Sequence, residues 1–370
     1  MKEGITRYLG LDAHKATITV AIGEASGPPT LYGTIANDPS AVSKLIRRLG
    51  RAASLVAAYE AGPTGYTLHR QLTALGVECV VVAPSLIPRR AGDRVKTDNR
   101  DAVTLARLLR SGDLTPVWVP EVADEALRDL VRARYDAKAD LLRARHRLGK
   151  FLLRQGGQPP AGTRAWTIRY QTWLSQLRFQ QPAAQVVFDD YRATIRAAED
   201  RIRRLEADLR RCATDSRQVA LIAALQALRG IGFLSAVTIV AETFDLRRFA
   251  RARGFMGFTG LTSSEHSSGP ARWRGAITRT GNAYLRHVLI QAAHNARHAP
   301  RQSAALKQRQ AGLPPDLVEL AWRAQLRLHQ RYRHLSGRLG RPKAVTAVAR
   351  ELAGFVWAIG QRMAAEAPAA

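Results

Sequence analysis

Cysteine is nearly absent from this chain, which has only Cys79 and Cys212 among 370 residues. Two cysteines are too few for a disulfide framework or for a zinc site built from thiolates alone, and they fit a reducing cytoplasm. Long apolar runs are missing as well, since no stretch approaches the roughly 18 apolar residues of a membrane span. The opening residues, MKEGITRYLG, lack the apolar region of a signal peptide, so we expect no export.

Acidic residues are also few beside the basic ones. The chain has 30 Asp plus Glu against 57 Lys plus Arg, which gives a formal net charge of +27. The commonest partner for so much positive charge is the phosphate backbone of nucleic acid. A ribosomal or membrane-surface role fits less well, because 46% of the residues are hydrophobic and no single basic amphipathic anchor stands out.

The length of 370 residues predicts more than one domain, because single cores stop growing at roughly 250–300 residues. We predict an α/β domain at 1–120 and a helical coiled-coil region at 121–218. A mostly helical domain with a serine-rich loop is predicted at 219–312, and C-terminal helices at 313–370.

Short apolar runs alternate with helical patterns in the first region. Three predicted strands come first, and the full order is β-β-β-α-β-α-β-α. This order is typical of the ribonuclease-H-like α/β fold. Asp38 and Ser40 are both candidate N-caps for the first helix. The predicted strands are 8–11, 17–22, 30–36, 54–61 and 77–84, and the predicted helices end at Gly50, Gly76 and Leu109.

The middle of the chain is predicted to form two long helices, separated by a Gly/Pro-rich loop at 156–163. Apolar residues of the second helix recur at spacings of three and four. This pattern predicts a coiled coil with the first helix or with another protomer, and packing in a helix bundle is the equally open alternative. The residues are Phe188, Tyr191, Ile195, Ala198, Ile202, Leu205, Leu209 and Cys212.

Four carboxylates fall near element ends in the first region. Asp12 ends the first strand and Glu60 the fourth, while Asp98 and Asp101 share one face of the last helix. In a ribonuclease-H-like sheet the first and fourth strands are neighbours, and their ends face that helix. We therefore predict that the four converge, and that a pair of Mg²⁺ ions relieves their repulsion and serves phosphodiester chemistry. Taken alone, Asp98 fits an N-cap and Asp101 a partner of the helix dipole.

Residues 257–282 are poor in apolar residues and rich in Gly, Ser and Arg, which predicts a loop. Serine hydroxyls beside guanidinium groups suit attack on a phosphodiester, because arginine holds the phosphate charge. Taken alone this signal is weak, and an ordinary loop is the simpler interpretation. The residues concerned are Ser267, Ser268, Gly269, Arg272, Arg274 and Arg279, with His266 adjacent.

The stretch LRGIG (228–232) precedes an apolar helix. It is similar to the hairpin of a helix-hairpin-helix element, whose glycine amides bind a backbone phosphate, and a tight helix–helix turn is the alternative. Gly230 and Gly232 are therefore candidate nucleic-acid-binding residues. His294 and His298 lack companion ligands, so they are predicted to be surface or phosphate-contacting residues rather than zinc ligands.

Six motifs follow one another along the chain: LGLDAHK, YEAGPTG, KTDNRDA, LRGIG, GFTGLTSSEHSSG and RGAITRTGNAYLR. Through them the chain resembles the DEDD transposases of the insertion sequence 110 family over nearly its whole length. The resemblance implies an N-terminal RuvC-type domain, a coiled-coil middle and a C-terminal transposase domain. The acidic tetrad of the family falls on Asp12, Glu60, Asp98 and Asp101.

The resemblance also implies a reaction and its partners. The family's nucleophilic serine falls on Ser268, before Gly269, with Ser267 as the neighbouring alternative, and Pro270 departs from the residues common at its position. Ser268 would form a phosphoserine link to DNA, while the tetrad holds Mg²⁺ or Mn²⁺. A structured bridge RNA would select double-stranded target and donor DNA. We expect a homo-oligomer, a dimer or tetramer, at the nucleoid in the bacterial cytoplasm.

Two other functions stay open from the sequence. A metal-dependent nuclease similar to Holliday-junction resolvases would use the acidic site alone, with the serine loop only binding DNA. A non-catalytic transposon remnant would bind nucleic acid without reacting, although the intact tetrad counts against it. Covalent capture of DNA separates the recombinase from both.

Overall fold

A computed structural model describes residues 4–88, 97–269 and 271–366. The chain divides into two compact units, Met1–Pro120 and Glu121–Ala370. The first is a mixed α/β unit and the second is mostly helical. Within the described ranges, no helix combines the length and the apolar character needed to cross a membrane.

Strands and helices of the first unit follow the predicted order. The strand order in the sheet is 3-2-1-4-5, with the first three strands antiparallel and the last two parallel to the first. The first and fourth strands are therefore neighbours, as the ribonuclease-H-like prediction requires. The elements are β1 (Arg7–Ala13), β2 (Thr17–Glu24), β3 (Thr30–Ala36), α1 (Pro39–Leu49), β4 (Leu55–Glu60), α2 (Thr67–Ala74), β5 (Glu78–Val82) and α3 (Asp98–Ser111).

Strand β1 is buried on both faces, and each face has a different kind of neighbour. Leu9 and Leu11 pack into the apolar core of the first unit, whereas Gly10 faces α3. A Cβ atom at Gly10 would lie 2.0 Å from the Ala102 carbonyl oxygen and 2.5 Å from the Ala106 nitrogen. Only a glycine lets α3 approach the sheet this closely, so Gly10 sets the separation between β1 and α3.

The start of α1 settles which of its two candidate caps is used. The carboxylate of Asp38 accepts hydrogen bonds from the backbone nitrogens of Ser40 and Ala41, both at 2.9 Å. Ser40 lies inside the first turn of the helix, so its prediction as an N-cap is wrong. Asp38 satisfies two amides that the helix itself leaves unpaired.

The second unit is built from helices and one hairpin. Its main core extends from Leu127 on its first helix to Ile359 on its last, and the divisions predicted at 218 and 312 stay predictions. A smaller core surrounds Phe151 and Phe188. The elements are α4 (Val122–Arg154), α5 (Ile168–Gln176), α6 (Pro182–Thr214), α7 (Val219–Leu225), α8 (Phe233–Thr243), α9 (Ala252–Phe258), β6 (Ser263–Ser268), β7 (Ala271–Ile277), α10 (Ala283–Ala293), α11 (Ala304–Gln310), α12 (Pro315–Leu339) and α13 (Arg341–Glu366).

Helices α4 and α6 pack against each other in antiparallel directions. Three ion pairs join the two helices, and their residue numbers rise along α4 while they fall along α6. Helix α6 therefore pairs with the first long helix of its own chain. Cys212 is exposed, so its predicted place in the buried seam is wrong, and knobs-into-holes packing of a coiled coil stays a prediction. The pairs are Arg134–Glu206 at 2.6 Å, Asp140–Arg201 at 3.0 Å and Arg145–Glu199 at 2.8 Å.

The segment 257–282 is not the plain loop that its composition predicts. It contains the β6–β7 hairpin, in which Ser268 pairs with Ala271. Gly269 has φ of +56°, a left-handed conformation that glycine adopts at little cost. Most described side chains of the hairpin are partly or fully exposed, so its sequence lacks the apolar alternation that identifies a half-buried strand.

Candidate functional site

Two acidic positions share one edge of the sheet. Asp12 stands next to the end of β1, and Glu60 is the last residue of β4. The strands are parallel with Leu11 opposite Tyr59, so Asp12 and Glu60 come next on each strand. Side chains alternate along a strand, so Asp12 faces α3, as Gly10 does.

Helix α3 presents its first turn at this site. Thr97 caps the helix by accepting a hydrogen bond from the Arg100 backbone nitrogen at 3.4 Å. Asp98 is the first helical residue, so the simpler interpretation of Asp98 as the N-cap is wrong. Asp101 follows one turn later on the same face. Because Thr97 caps the helix, the carboxylate of Asp98 is available for other partners.

A histidine completes a tight group with two of the aspartates. Nε2 of His14 lies 3.3 Å from Oδ2 of Asp12 and 3.5 Å from Oδ2 of Asp98. One ligand atom from each of the three lies within 4.8 Å of the other two. The backbone of His14 is held by a hydrogen bond to the Thr17 carbonyl at 2.8 Å and one from Asn37 at 2.7 Å. Sequence reasoning missed His14, although its position two residues after Asp12 was the available signal.

The pKa of Asp12 depends on its burial and on the charged groups around it. Partial burial, and then the negative charges of Asp98 and Asp101, raise the pKa of Asp12, while His14 opposes them. Asp101 is therefore close enough to act on Asp12, although it lies outside the tight group. Glu60 is half-buried at the neighbouring strand end and also lies outside that group.

These side chains fit a divalent cation. Carboxylate oxygens are the ligands that Mg²⁺ and Mn²⁺ favour, and a neutral imidazole nitrogen is acceptable to Mn²⁺. A cation between Asp12 and Asp98 would offset the negative charge of Asp98, which raises the pKa of Asp12. The ion could be held by Asp12, His14 and Asp98, and Asp101 and Glu60 lie outside this group.

The β6–β7 hairpin, which we call the serine hairpin, carries the hydroxyls of Ser267 and Ser268 at its exposed tip. Ser267 pairs with Arg272 in the backbone register, and Ser268 is the last residue of β6. Both serines are exposed. The side chains of Arg272 and Arg274 lie outside the described part of the structure, so their proposed phosphate contacts stay predictions.

An aromatic pair lies beside these serines. The rings of His266 and Trp273 face each other across the hairpin, 5.6 Å apart and tilted by 33°. Trp273 is 62% exposed, and a Cβ atom at Gly275 would lie 2.9 Å from its ring. Sequence reasoning gave Trp273 no role, because an isolated aromatic in a polar stretch shows no periodicity.

Arg279 follows the hairpin in an unusual backbone conformation. It is exposed and has φ of +56°, which is uncommon for a residue with a side chain. Its backbone nitrogen donates to the Gly260 carbonyl at 3.2 Å, which helps to hold the turn. Its guanidinium is presented at the surface, which is compatible with the predicted phosphate contact.

The LRGIG stretch joins α7 to α8 by a tight turn. Gly230 has φ of +92°, and a Cβ atom there would lie 2.5 Å from the Ala292 carbonyl oxygen. Gly230 is therefore required by packing against α10. Gly232 is the N-cap of α8, no side chain caps that helix start, and the space beside its Cα is open.

A buried ion pair connects the helices to the end of the hairpin. Glu242 on α8 is 2% exposed and accepts two hydrogen bonds from Arg132 on α4, at 2.7 and 2.8 Å. Its second oxygen also accepts one from Asn282 at 2.7 Å. Asn282 caps α10 by accepting from the Leu285 nitrogen at 3.0 Å. This network fixes the segment that follows the serine hairpin.

Two family models match the chain. Residues 9–155 match a model of DEDD transposases of the IS110 type, described as "Transposase". Residues 222–308 match a model described as "Transposase IS116/IS110/IS902 family". The first match includes the acidic positions, and the second includes the LRGIG turn and the serine hairpin.

Two relatives are similar over nearly the full chain. The y4qE transposase of Sinorhizobium fredii is 40% identical over 358 residues, which cover 96% of this chain and 88% of the relative. The transposase for insertion sequence element IS1533 of Leptospira borgpetersenii is 33% identical over 341 residues, covering 89% and 96%.

Proposed function

Since the chain belongs to the IS110 family of transposases, we propose that it transposes DNA through two chemical centres. One is the hydroxyl of Ser268 and the other is the acidic site around Asp12. The observation that carries this proposal is the group of Asp12, His14 and Asp98, whose ligand atoms lie within 4.8 Å of one another in a chain of net charge +27. Carboxylates gathered in this way favour a cation, and the rest of the chain favours polyanions.

The proposed covalent step uses the serine at the hairpin tip. Oγ of Ser268 bonds to phosphorus as one backbone P–O bond of the DNA breaks. The serine proton is released, and the departing oxygen takes up a proton to become a hydroxyl at the strand end. In the rejoining step a strand-end hydroxyl attacks the phosphoserine, and the serine oxygen regains its proton. Guanidinium groups such as that of Arg279 hold the phosphate charge.

The acidic site supports this chemistry as a cation site. A bound Mg²⁺ or Mn²⁺ would stabilise charge on the oxygens of phosphodiester transfer. Asp12, His14 and Asp98 would hold the ion. Asp101 and Glu60 would complete the proposed tetrad by adding negative charge nearby.

The proposed partners are nucleic acids and further copies of the chain. Double-stranded target and donor DNA are the substrates, and a structured bridge RNA selects them by base pairing. The protein then needs to hold shape and phosphates rather than to read bases, and the net charge of +27 suits that task. A homo-oligomer, dimer or tetramer, is part of the proposal.

Two neighbouring serines offer a matched test of the covalent step. Labelled target DNA is incubated with protein, guide RNA and Mg²⁺, and the products are separated under denaturing conditions. We expect a protease-sensitive shifted band with the wild type and with Ser267→Ala, but not with Ser268→Ala. Both substitutions remove one exposed hydroxyl from β6, so they disturb the hairpin equally.

The other outcomes of this experiment have definite meanings. Loss of the band only in Ser267→Ala would move the nucleophile to that residue. Cleavage without any covalent band would favour the resolvase-like nuclease, in which the acidic site acts alone. Binding without cleavage by the wild type would favour a non-catalytic remnant.

A further inference from the structure

A cavity of about 400 Å³ opens beside the turn that joins α7 to α8. Its wall combines backbone from that turn with polar side chains from the segments around α11. Three arginines supply its charge, and no carboxylate lines it among the described residues. The arginines are Arg229, Arg301 and Arg309, and His298 lies beside them.

Neutral oxygens hold two of these arginines in place. Nη1 of Arg229 donates to the carbonyls of His298 and Ala299, at 3.4 and 2.8 Å, and to Oε1 of Gln325 at 2.9 Å. Nη1 of Arg309 donates to the Ile231 carbonyl at 2.6 Å. These bonds fix the guanidinium groups without cancelling their charge, and each group keeps further nitrogens for a ligand.

The charge in the cavity is uncompensated. Loss of hydration, and then the positive charge of Arg301, lower the pKa of Arg229, and burial lowers the pKa of Arg309. Loss of hydration and the neighbouring arginines also lower the pKa of His298. Its Nε2 accepts a hydrogen bond from Arg297 at 2.9 Å, so the neutral ring carries its proton on Nδ1 and can donate it.

We propose that this cavity binds a phosphate group of a polynucleotide, held by Arg229, Arg301 and Arg309. The inference rests on the proposed function, because it takes nucleic acid as the source of the phosphate. Three guanidinium groups line one concave space without a carboxylate partner, and those of Arg229 and Arg309 are fixed by neutral oxygens. This arrangement matches the charge and geometry of a phosphate. The open start of α8 at Gly232 adds backbone N–H groups on the same wall.

A second cavity extends the basic surface. It measures about 690 Å³ and is lined in part by His294, Arg297 and Arg341. His298 lines both cavities, so the two adjoin. Neighbouring basic cavities suit a nucleic-acid strand whose successive phosphates lie along the surface. The strand would continue from the first cavity toward the second.

Arg301 is the residue to change first. Its guanidinium makes no hydrogen bond or ion pair within the described ranges, so Arg301→Gln removes a ligand without disturbing the fold. Arg196→Gln is the matched control, because Arg196 is an exposed residue of α6 outside the cavity and likewise lacks such partners there. Arg301→Lys keeps the charge but loses the planar fork of the guanidinium.

The test measures binding of a short single-stranded DNA to the full-length chain by fluorescence anisotropy over a salt series. The DNA is labelled at its 3′ end. For Arg301→Gln we expect Kd to rise about tenfold, as the loss of a charged hydrogen bond predicts, and the salt slope to fall by about one. Arg301→Lys should restore the slope and only part of the affinity, and Arg196→Gln should leave Kd within about twofold, as for a peripheral charge.

Two arms identify the source of the phosphate. The DNA carries either a 5′-phosphate or a 5′-hydroxyl, and an unlabelled single-stranded circle serves as competitor. If Arg301→Gln weakens the binding of DNA with either 5′ end and also of the circle, the bound group is an internal phosphodiester. If it weakens the binding only of DNA with a 5′-phosphate, the bound group is a terminal phosphate. If Arg301→Gln and Arg196→Gln behave alike in every arm, the inference is overturned. The covalent band assigned to Ser268 is measured separately, so the two proposals can fail independently.

Discussion

Gly10 sets the distance between the sheet and the helix that carries Asp98. A Cβ atom at Gly10 would lie 2.0 Å from the Ala102 carbonyl oxygen, whereas real Cβ atoms essentially never approach closer than 3.0 Å. In Gly10→Ala, α3 therefore has to shift by at least about 1 Å relative to β1. Because β1 carries Asp12, the same shift separates the two aspartates of the acidic site.

The expected cost follows from the overlap. Overpacking of this kind costs about 1–3 kcal/mol, which lowers the thermal midpoint of the first unit by roughly 4–12 °C. A displacement of about 1 Å at a reacting centre costs on the order of 10²-fold in rate. We therefore expect Gly10→Ala to weaken Mn²⁺ binding and to reduce covalent DNA capture about a hundredfold, with nucleic-acid binding unchanged.

Gly23 on β2 provides the control. A Cβ atom there meets Pro29 at 3.6 Å and Tyr8 at 3.7 Å, which are ordinary contacts. Gly23→Ala should therefore keep the stability, Mn²⁺ affinity and activity of the wild type. Mn²⁺ affinity is read from the electron paramagnetic resonance signal of the free ion, and the thermal midpoint from circular dichroism. Wild-type Mn²⁺ affinity and capture in Gly10→Ala would refute the argument that α3 positions the site.

Three further predictions follow from other parts of the chain. Arg132→Met should destabilise the second unit by about 3 kcal/mol in urea unfolding, because the buried charge of Glu242 loses its ion-pair partner and keeps only the hydrogen bond from Asn282. Adding Glu242→Leu should recover most of that loss, and equal stabilities of the single and double variants would contradict this. Iodoacetamide near neutral pH should modify the exposed Cys212 quickly, but Cys79 only after unfolding, because burial raises the pKa of Cys79 to about 12. Mass spectrometry of timed samples can measure the two rates. Asp12→Ala should abolish covalent capture yet keep the steep salt dependence of nucleic-acid binding, and normal capture with Mg²⁺ present would remove Asp12 from the reaction.

The sheet was predictable because its sequence signals are local and redundant. Each of the predicted strands is present, β3 with the predicted bounds and the others within about two residues of theirs. Apolar runs identify the buried strands β1 and β4, and alternating β-branched residues identify β2. The approach of α3 to β1 was not predictable in the same way. It depends on Gly10 meeting Ala102 and Ala106, residues about ninety positions away, and nothing in the local sequence marks that contact.

The hairpin and the ion pair were missed for different physical reasons. The β6–β7 hairpin is largely exposed among its described side chains, so its strands lack the alternation that marks a buried face, and its residues pair across the hairpin instead. The pair of Arg132 and Glu242 joins helices more than a hundred residues apart. In a chain with 57 basic residues, the sequence cannot single out one arginine as the partner of one glutamate.

The acidic site and the basic cavity follow the same physical logic with opposite signs. The charges of Asp98 and Asp101 raise the pKa of Asp12, and around Arg229 the guanidinium groups are held by carbonyl oxygens. Each arrangement leaves like charges close together, which costs stability in the free protein. Under the two proposals, a cation relieves the first and a phosphate relieves the second, and a ligand that binds only the folded chain stabilises it. Nucleic acid at the basic cavity and a divalent ion at the acidic site would then each add stability to the chain.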